Sequence, residues 1–180
     1  MIISRKTMLV VLCIYFIPLM AFFAYLNNAN AKSTALNLLE ESRNTSDPIL
    51  ISIPKLNLIK PVKLGIYDFK QNTWEITSQY AYFASLSAKP NKQSGNTIIY
   101  AHNTNSLFGK VSLLGNNDKV YLRTKNGKIF VYSYEKRKDV KPSDVSIFTP
   151  SNKPYLTLLT CTGRNNSLRR LLYFKLVKVV

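Results

Sequence analysis

The chain has 180 residues, 46% of them apolar and 12% aromatic, which is enough for one core of ordinary size and short for two domains. That apolar share excludes a disordered chain, and 6 Gly with 8 Pro exclude collagen-like or low-complexity architecture. With 25 Lys and Arg against 9 Asp and Glu the formal charge is +16, so the molecule favours nucleic acid, acidic lipid headgroups or acidic wall polymers.

From Met8 to Leu26 no position is charged and most are Leu, Ile, Val, Phe, Met or Ala. At about 1.5 Å per helical residue this run spans roughly the hydrocarbon core of a bilayer. Arg5 and Lys6 precede it and hold the N-terminus in the cytoplasm, which sends everything after Asn27 to the outer side. Pro18, inside the run, kinks such a helix without forbidding it. Ala29-Asn30-Ala31 has the small-x-small form of a signal cleavage site, but the run exceeds the roughly 7–15 apolar residues of a cleaved signal. The expectation is therefore a cytoplasmic end at 1–7, a transmembrane anchor at 8–26, a stalk at 27–47 and an extracytoplasmic domain at 48–180. Export removes nucleic acid from the partners the charge would otherwise suit.

Residues 33–44, with Leu36, Leu38 and Leu39 beside Glu40, Glu41 and Arg43, read as a short amphipathic helix within the stalk. From Pro48 the pattern changes to short β-prone runs at Ile49–Ile53, Val62–Ile66, Thr97–Tyr100, Val120–Leu122, Ile129–Tyr134, Tyr155–Thr160 and Leu171–Val180. Turn signals such as Asn126-Gly127, Lys141-Pro142 and Lys153-Pro154 separate them. Many short strands in one domain argue for a mainly β fold, a closed or nearly closed antiparallel barrel or a sandwich. Two stretches, Gln79–Leu86 and Leu107–Leu114, read as helical interruptions.

The chain has 2 Cys and 1 His. Cys13 lies inside the expected membrane span, so Cys161 has no partner in the exported fold. An unpaired thiol outside the cytoplasm is exposed to oxidation, and its retention suggests use, although a buried Cys also serves as a small hydrophobe. His102 closes the run Thr97-Ile98-Ile99-Tyr100-Ala101, so two strand ends carry a thiol and an imidazole. Thiol nucleophiles need an ionised sulfur with an acid or base nearby, and imidazole meets both needs near neutral pH. After the thiol comes a polar loop, Thr162 to Ser167, and then Arg169-Arg170-Leu171-Leu172-Tyr173. A guanidinium returning on that strand could stabilise an oxyanion beside the thiol. Arg170 shares a strand face with Leu172 and Phe174, and Arg169 shares one with Leu171 and Tyr173, so alternation alone does not choose between them, and Arg164 sits in the loop.

Thr157-Leu158-Leu159-Thr160-Cys161 resembles the TLxTC motif of the sortases, membrane-anchored cysteine transpeptidases of the bacterial surface. The resemblance extends to Ala101-His102 after an apolar strand and to Arg170-Leu171-Leu172. Softer similarities are Ile53-Pro54-Lys55-Leu56, Gly95-Asn96-Thr97 and Val140-Lys141-Pro142-Ser143-Asp144. It covers residues 48–180 and implies a closed eight-stranded sortase-type barrel with short helices. It also implies that Cys161 attacks an LPxTG-type sorting signal to form a thioacyl intermediate, with His102 as acid and base, Arg170 holding the oxyanion and Thr160 touching substrate. The partners implied are surface proteins with a C-terminal sorting signal and an amine acceptor, either a cell-wall precursor or a pilin lysine. Some sortases bind calcium through clustered carboxylates. Here the acids form no cluster beyond Glu40-Glu41, so no metal and no cofactor is expected. Two other classes use the same residues differently: a membrane-tethered β-domain that binds anionic wall polymer, and a hydrolytic cysteine peptidase.

Overall fold

A computed structural model describes residues 20, 22–34, 36 and 45–180. The chain divides into two compact units, Met1–Asn44 and Thr45–Val180. In the first, residues 22–34 are helical, and no helix among the described residues is long and apolar enough to cross a membrane. Most of the expected anchor, and most of the amphipathic helix expected at 33–44, lie outside the described residues.

The second unit is built on β1 (Pro48–Ile53), β2 (Leu58–Gly65), β3 (Tyr67–Asp68), β4 (Thr73–Trp74) and β5 (Ala81–Ala84). It continues with β6 (Asn96–Tyr100), β7 (Lys119–Thr124), β8 (Ile129–Val140), β9 (Tyr155–Thr162) and β10 (Leu168–Val179). Eight strands close a barrel in the order β1-β2-β5-β6-β9-β10-β8-β7, with β7 returning to β1, and β3 and β4 form a separate hairpin. Most neighbours are antiparallel, whereas β2–β5 and β6–β9 run parallel. The mainly β, closed eight-stranded expectation is borne out. Closure removes the unpaired strand edges that an open sheet would present.

Strand alternation gives the barrel two apolar layers. Inward side chains, among them Ile51, Ile99, Leu122, Phe130, Leu158 and Phe174, form the main core and are essentially inaccessible. Each such burial contributes about 1.5–3 kcal/mol, set against the chain entropy lost on ordering. Outward side chains of β5, β6, β9 and β10 form a second cluster that includes Tyr82, Ile98, Tyr100 and Leu171. That cluster is roofed from one side by Trp74 of the hairpin and from the other by Ile147 and Phe148 of the segment joining β8 to β9. Trp74 stacks on Phe148 at 5.8 Å between ring centroids and meets Tyr100 edge-on at 5.4 Å.

The stretch Gln79–Leu86, expected to be helical, contains strand β5 instead. Ala81, Tyr82, Phe83 and Ala84 are all buried, because this strand has apolar layers on both of its faces. A strand covered on both sides loses its alternation and reads like a buried helical segment. In Leu107–Leu114 only Val111–Leu113 forms a 3₁₀ turn. Leu107, Phe108, Val111 and Leu114 are buried, so the apolar spacing is real but is delivered by successive turns. The Asn126-Gly127 turn is present: Gly127, at φ +85°, lets its N–H donate to Thr124 O at 3.0 Å and reverse the chain between β7 and β8.

Gly65 ends β2 directly under Tyr100, whose hydroxyl donates to Glu75 O at 2.6 Å. A Cβ at position 65 would overlap that phenol. Gly65→Ala is therefore expected to lower the melting temperature, at the scale of about 1–3 kcal/mol usual for overpacking. Tyr100→Phe in the Gly65→Ala background is expected to recover part of the loss in thermal denaturation; no recovery would locate the strain elsewhere.

Candidate active site

The parallel pairing of β6 with β9 brings the lone imidazole to the thiol. Its register runs Asn96↔Tyr155, Ile98↔Thr157 and Tyr100↔Leu159, and beyond the ladder Ala101 N still donates to Leu159 O at 3.2 Å. Two residues past Tyr100 and Leu159, His102 and Cys161 occupy corresponding positions on adjoining strands. Both follow the parity of the outward cluster, so thiol and imidazole share its face. Both residues are half-buried. Within the described residues Cys161 has no disulfide partner.

The strand ends are fixed from beneath. Thr160, buried, donates its hydroxyl to Ala101 O at 2.8 Å, stapling the residue before the thiol to the residue before the imidazole. The carbonyl of His102 accepts from Thr104 N at 3.0 Å and Phe108 N at 3.1 Å, so the chain turns away at once without pulling the imidazole off the face. Beyond Cys161, Gly163 adopts φ +77° and Asn165 and Asn166 adopt left-handed φ values of 53° and 59°. A side chain at 163 would meet Ser167 Oγ. The loop after the thiol is thus held tight by residues that tolerate left-handed backbone.

The arginines part company here. Arg169 pairs across the ladder with Cys161, and its Nη1 donates to Asn166 O at 3.0 Å and Leu168 O at 3.1 Å, bracing that loop. Arg170 pairs with Thr160 on one side and Asp139 on the other, and Asp139 grips it twice, Nε to Oδ1 at 2.9 Å and Nη2 to Oδ2 at 2.7 Å. This fork leaves Nη1 and one Nη2 hydrogen for another acceptor. Arg164 lies on the exposed turn Arg164–Asn166.

Asp139 was invisible to sequence reasoning, because nothing in Glu135-Lys136-Arg137-Lys138-Asp139 says which of these charges lies across from Arg170. The signal is the β8–β10 register, which only the closed barrel supplies. The Arg170 hydrogen bonds hold the Asp139 carboxyl below the usual carboxylate range. A depressed folded pKa contributes stability that is fully present above the unfolded value of about 3.9 and is lost as the pH falls through the folded value. Asp139→Asn is expected to flatten that acid limb in melting curves recorded from neutral pH downward. The effect is modest, because the pair is partly solvated at side-chain exposures of 23% and 32%. An unchanged acid limb would show that the pair adds nothing.

Taken together, the geometry offers a nucleophilic thiol on β9, an acid–base imidazole on β6 to one side, and two guanidiniums on β10 to the other, Arg169 with the parity of the thiol's face and Arg170 with that of Leu172 and Phe174. It can carry acyl transfer. Among the described residues no three His, Cys, Asp or Glu side chains gather as metal ligands.

Comparison with known proteins places this arrangement. A family model described as the sortase domain matches residues 51–177. Sortase E1 of Streptomyces coelicolor is 31% identical over 134 residues, covering 68% of this chain and 38% of that protein's length. Among solved structures, a sortase E1 of S. coelicolor with a tripeptide in its active site matches with a TM-score of 0.61 at 24% identity, over 74% of this chain and 90% of that one. Sortase C-3 of Streptococcus pneumoniae matches with a TM-score of 0.62 at 22% identity, over 76% of this chain and 64% of that one. A lid mutant of sortase A from Corynebacterium diphtheriae also gives 0.62, at 24% identity over 74% and 72% of the two chains. With the family model spanning most of the barrel, the chain belongs to the sortase family.

Proposed function

We propose that this chain is a membrane-anchored cysteine transpeptidase that cleaves an LPxTG-type sorting signal and joins the released protein to an amine at the cell surface. The observation that carries this reading is the parallel β6–β9 register, which sets His102 beside the unpaired Cys161 on one face of the barrel. Family membership supports the reaction class, since sortases are transpeptidases. The tripeptide in the active site of S. coelicolor sortase E1 supports a peptide as the ligand.

Cys161 Sγ, as thiolate, attacks the scissile carbonyl carbon and drives its π electrons onto oxygen. The tetrahedral oxyanion collapses as His102 donates its proton to the departing amine, leaving a thioacyl enzyme. His102 then takes a proton from the incoming amine, whose nitrogen attacks the thioacyl carbon, and Sγ departs as thiolate. Arg170 donates to the oxyanion from the edge that Asp139 leaves open, and Thr160 serves the substrate groove through the residues it holds. Residues 8–26 anchor the enzyme with its N-terminus inside, and the acceptor is a cell-wall precursor amine or a pilin lysine.

The test is turnover of a labelled sorting peptide with and without an added amine. Aminolysis product that appears only with amine and disappears after thiol alkylation is the expected result. Hydrolysis indifferent to added amine would instead make the chain a peptidase, and polymer binding without turnover would make it a tether.

Arg169 is the specific rival for the guanidinium role, because it is the residue directly across from Cys161. Arg170→Ala is expected to lower kcat/KM by about 10²–10³, the scale of a lost oxyanion donor. Arg170→Lys is also expected to be poor, because an ammonium lacks the planar fork. Arg169→Ala is expected to cost only a few-fold. The reverse pattern in kcat/KM would transfer the role to Arg169.

A further inference from the structure

The barrel's outward faces differ in character. The face over β6 and β9 carries the thiol and is roofed, whereas the outward positions of β7 and β10, on either side of the first part of β8, carry Lys119, Arg123, Lys175 and Lys178, all exposed. The pairing fixes their layout. Lys119 and Lys175 both pair with Ser133, so they flank it two strand spacings, or about 10 Å, apart. Arg123 lies four residues further along β7, about 13 Å from Lys119. Lys178, past a bulge in β10, pairs with Val131. Tyr121, half-buried, sits between Lys119 and Arg123.

Three features make these cations available together to an anion. No Asp or Glu stands on β7, on β10 or on β8 from Ile129 to Ser133, and Glu135, which accepts from Tyr155 Oη at 3.3 Å, borders the array beside Lys175. Among the described residues none of the four joins an ion pair, so their charges are open to an outside anion. Strand pairing also holds their backbones rigidly, so the charges form a fixed array.

We propose that this face binds a linear, phosphate-rich polyanion, the chemical class of a phosphodiester polymer. Spacings of about 10–13 Å are too wide for one phosphate to touch all four groups, but they suit a chain that brings a charge to each in turn. A barrel wall is convex, so a flat bilayer would meet only part of the array, and no large aromatic side chain stands exposed among the four cations to enter a membrane. Because the face lies on other strands than the thiol, polymer and peptide can be held together, keeping the enzyme beside an anionic matrix while it works.

The experiment uses the full chain in non-ionic detergent with Cys161 alkylated, so that binding is read apart from turnover. Binding of long-chain inorganic polyphosphate is measured across a salt series for the parent, for Lys119→Gln/Arg123→Gln/Lys175→Gln/Lys178→Gln, and for a control of equal net charge, Lys32→Gln/Lys70→Gln/Lys92→Gln/Lys110→Gln. The face variant is expected to bind more than about tenfold more weakly, and the slope of log K against log salt should shallow by roughly 3, as for four lost phosphate contacts on a single-stranded polyanion. The control should lose less than about threefold, and inorganic phosphate alone should not compete at matched ionic strength. Equal losses in both variants would reduce the effect to net charge and overturn the proposal. So would mixed micelles of anionic phosphatidylglycerol in the same detergent that bind more tightly than polyphosphate and lose that binding in the face variant.

Discussion

Cys161→Ala is expected to abolish peptide turnover and leave the barrel intact. The thiol sits on β9 just beyond its buried stretch, half-exposed, with Thr160 beneath it making the structural hydrogen bond to Ala101 O. Alanine keeps the β-carbon, removes only sulfur, and leaves every backbone hydrogen bond between β9 and its neighbours available. No other cysteine among the described residues could substitute, and a water attacking directly would lack both the thiolate and the covalent intermediate that divides the reaction into two easier steps. Circular dichroism and melting should match the parent while product falls to background. Residual transpeptidation above trace level would remove Cys161 from the chemistry.

His102→Ala should be nearly as severe, lowering the rate by roughly 10²–10⁴, the usual contribution of a positioned acid–base group. The departing amine is a poor leaving group unless it is protonated as the C–N bond breaks, and the incoming amine is inert until it loses a proton. His102 is the only histidine in the chain, so no second imidazole can take over either transfer. The backbone at 102 is fixed through its own carbonyl, which accepts from Thr104 N and Phe108 N, so truncating the side chain leaves the turn in place. Both halves of the reaction should slow, in the burst of first product and in its resolution by amine. A near-native rate would assign the proton transfers elsewhere.

Legibility in the sequence followed the range of the interactions involved. β7, with one face on the core, kept its alternation and could be read from Val120–Leu122, and β8 from the apolar run Ile129–Tyr134, although both run further than the apolar pattern does. β5 could not be read, since burial on both faces erased the alternation. The β3–β4 hairpin was missed because two-residue strands leave no periodicity, and it is held by aromatic contacts of Trp74 with Tyr100 and Phe148 that are distant in sequence. In the site, the thiol and imidazole stood out because each is the sole residue of its kind in residues 48–180. Their adjacency, the Thr160 staple and the grip of Asp139 on Arg170 all arise from register between strands remote in the chain, and a single sequence carries no record of register.

The most direct measurement is intact-mass spectrometry of the enzyme mixed with a sorting peptide and no amine. An acyl enzyme should appear, heavier by the N-terminal portion of the peptide up to the scissile bond. Fragmentation should place the adduct on Cys161, and adding an amine should discharge it to the aminolysis product. Peptide cleaved at a competent rate with no adduct on Cys161, or an adduct that water discharges while amine leaves its rate unchanged, would contradict transpeptidation through this thiol.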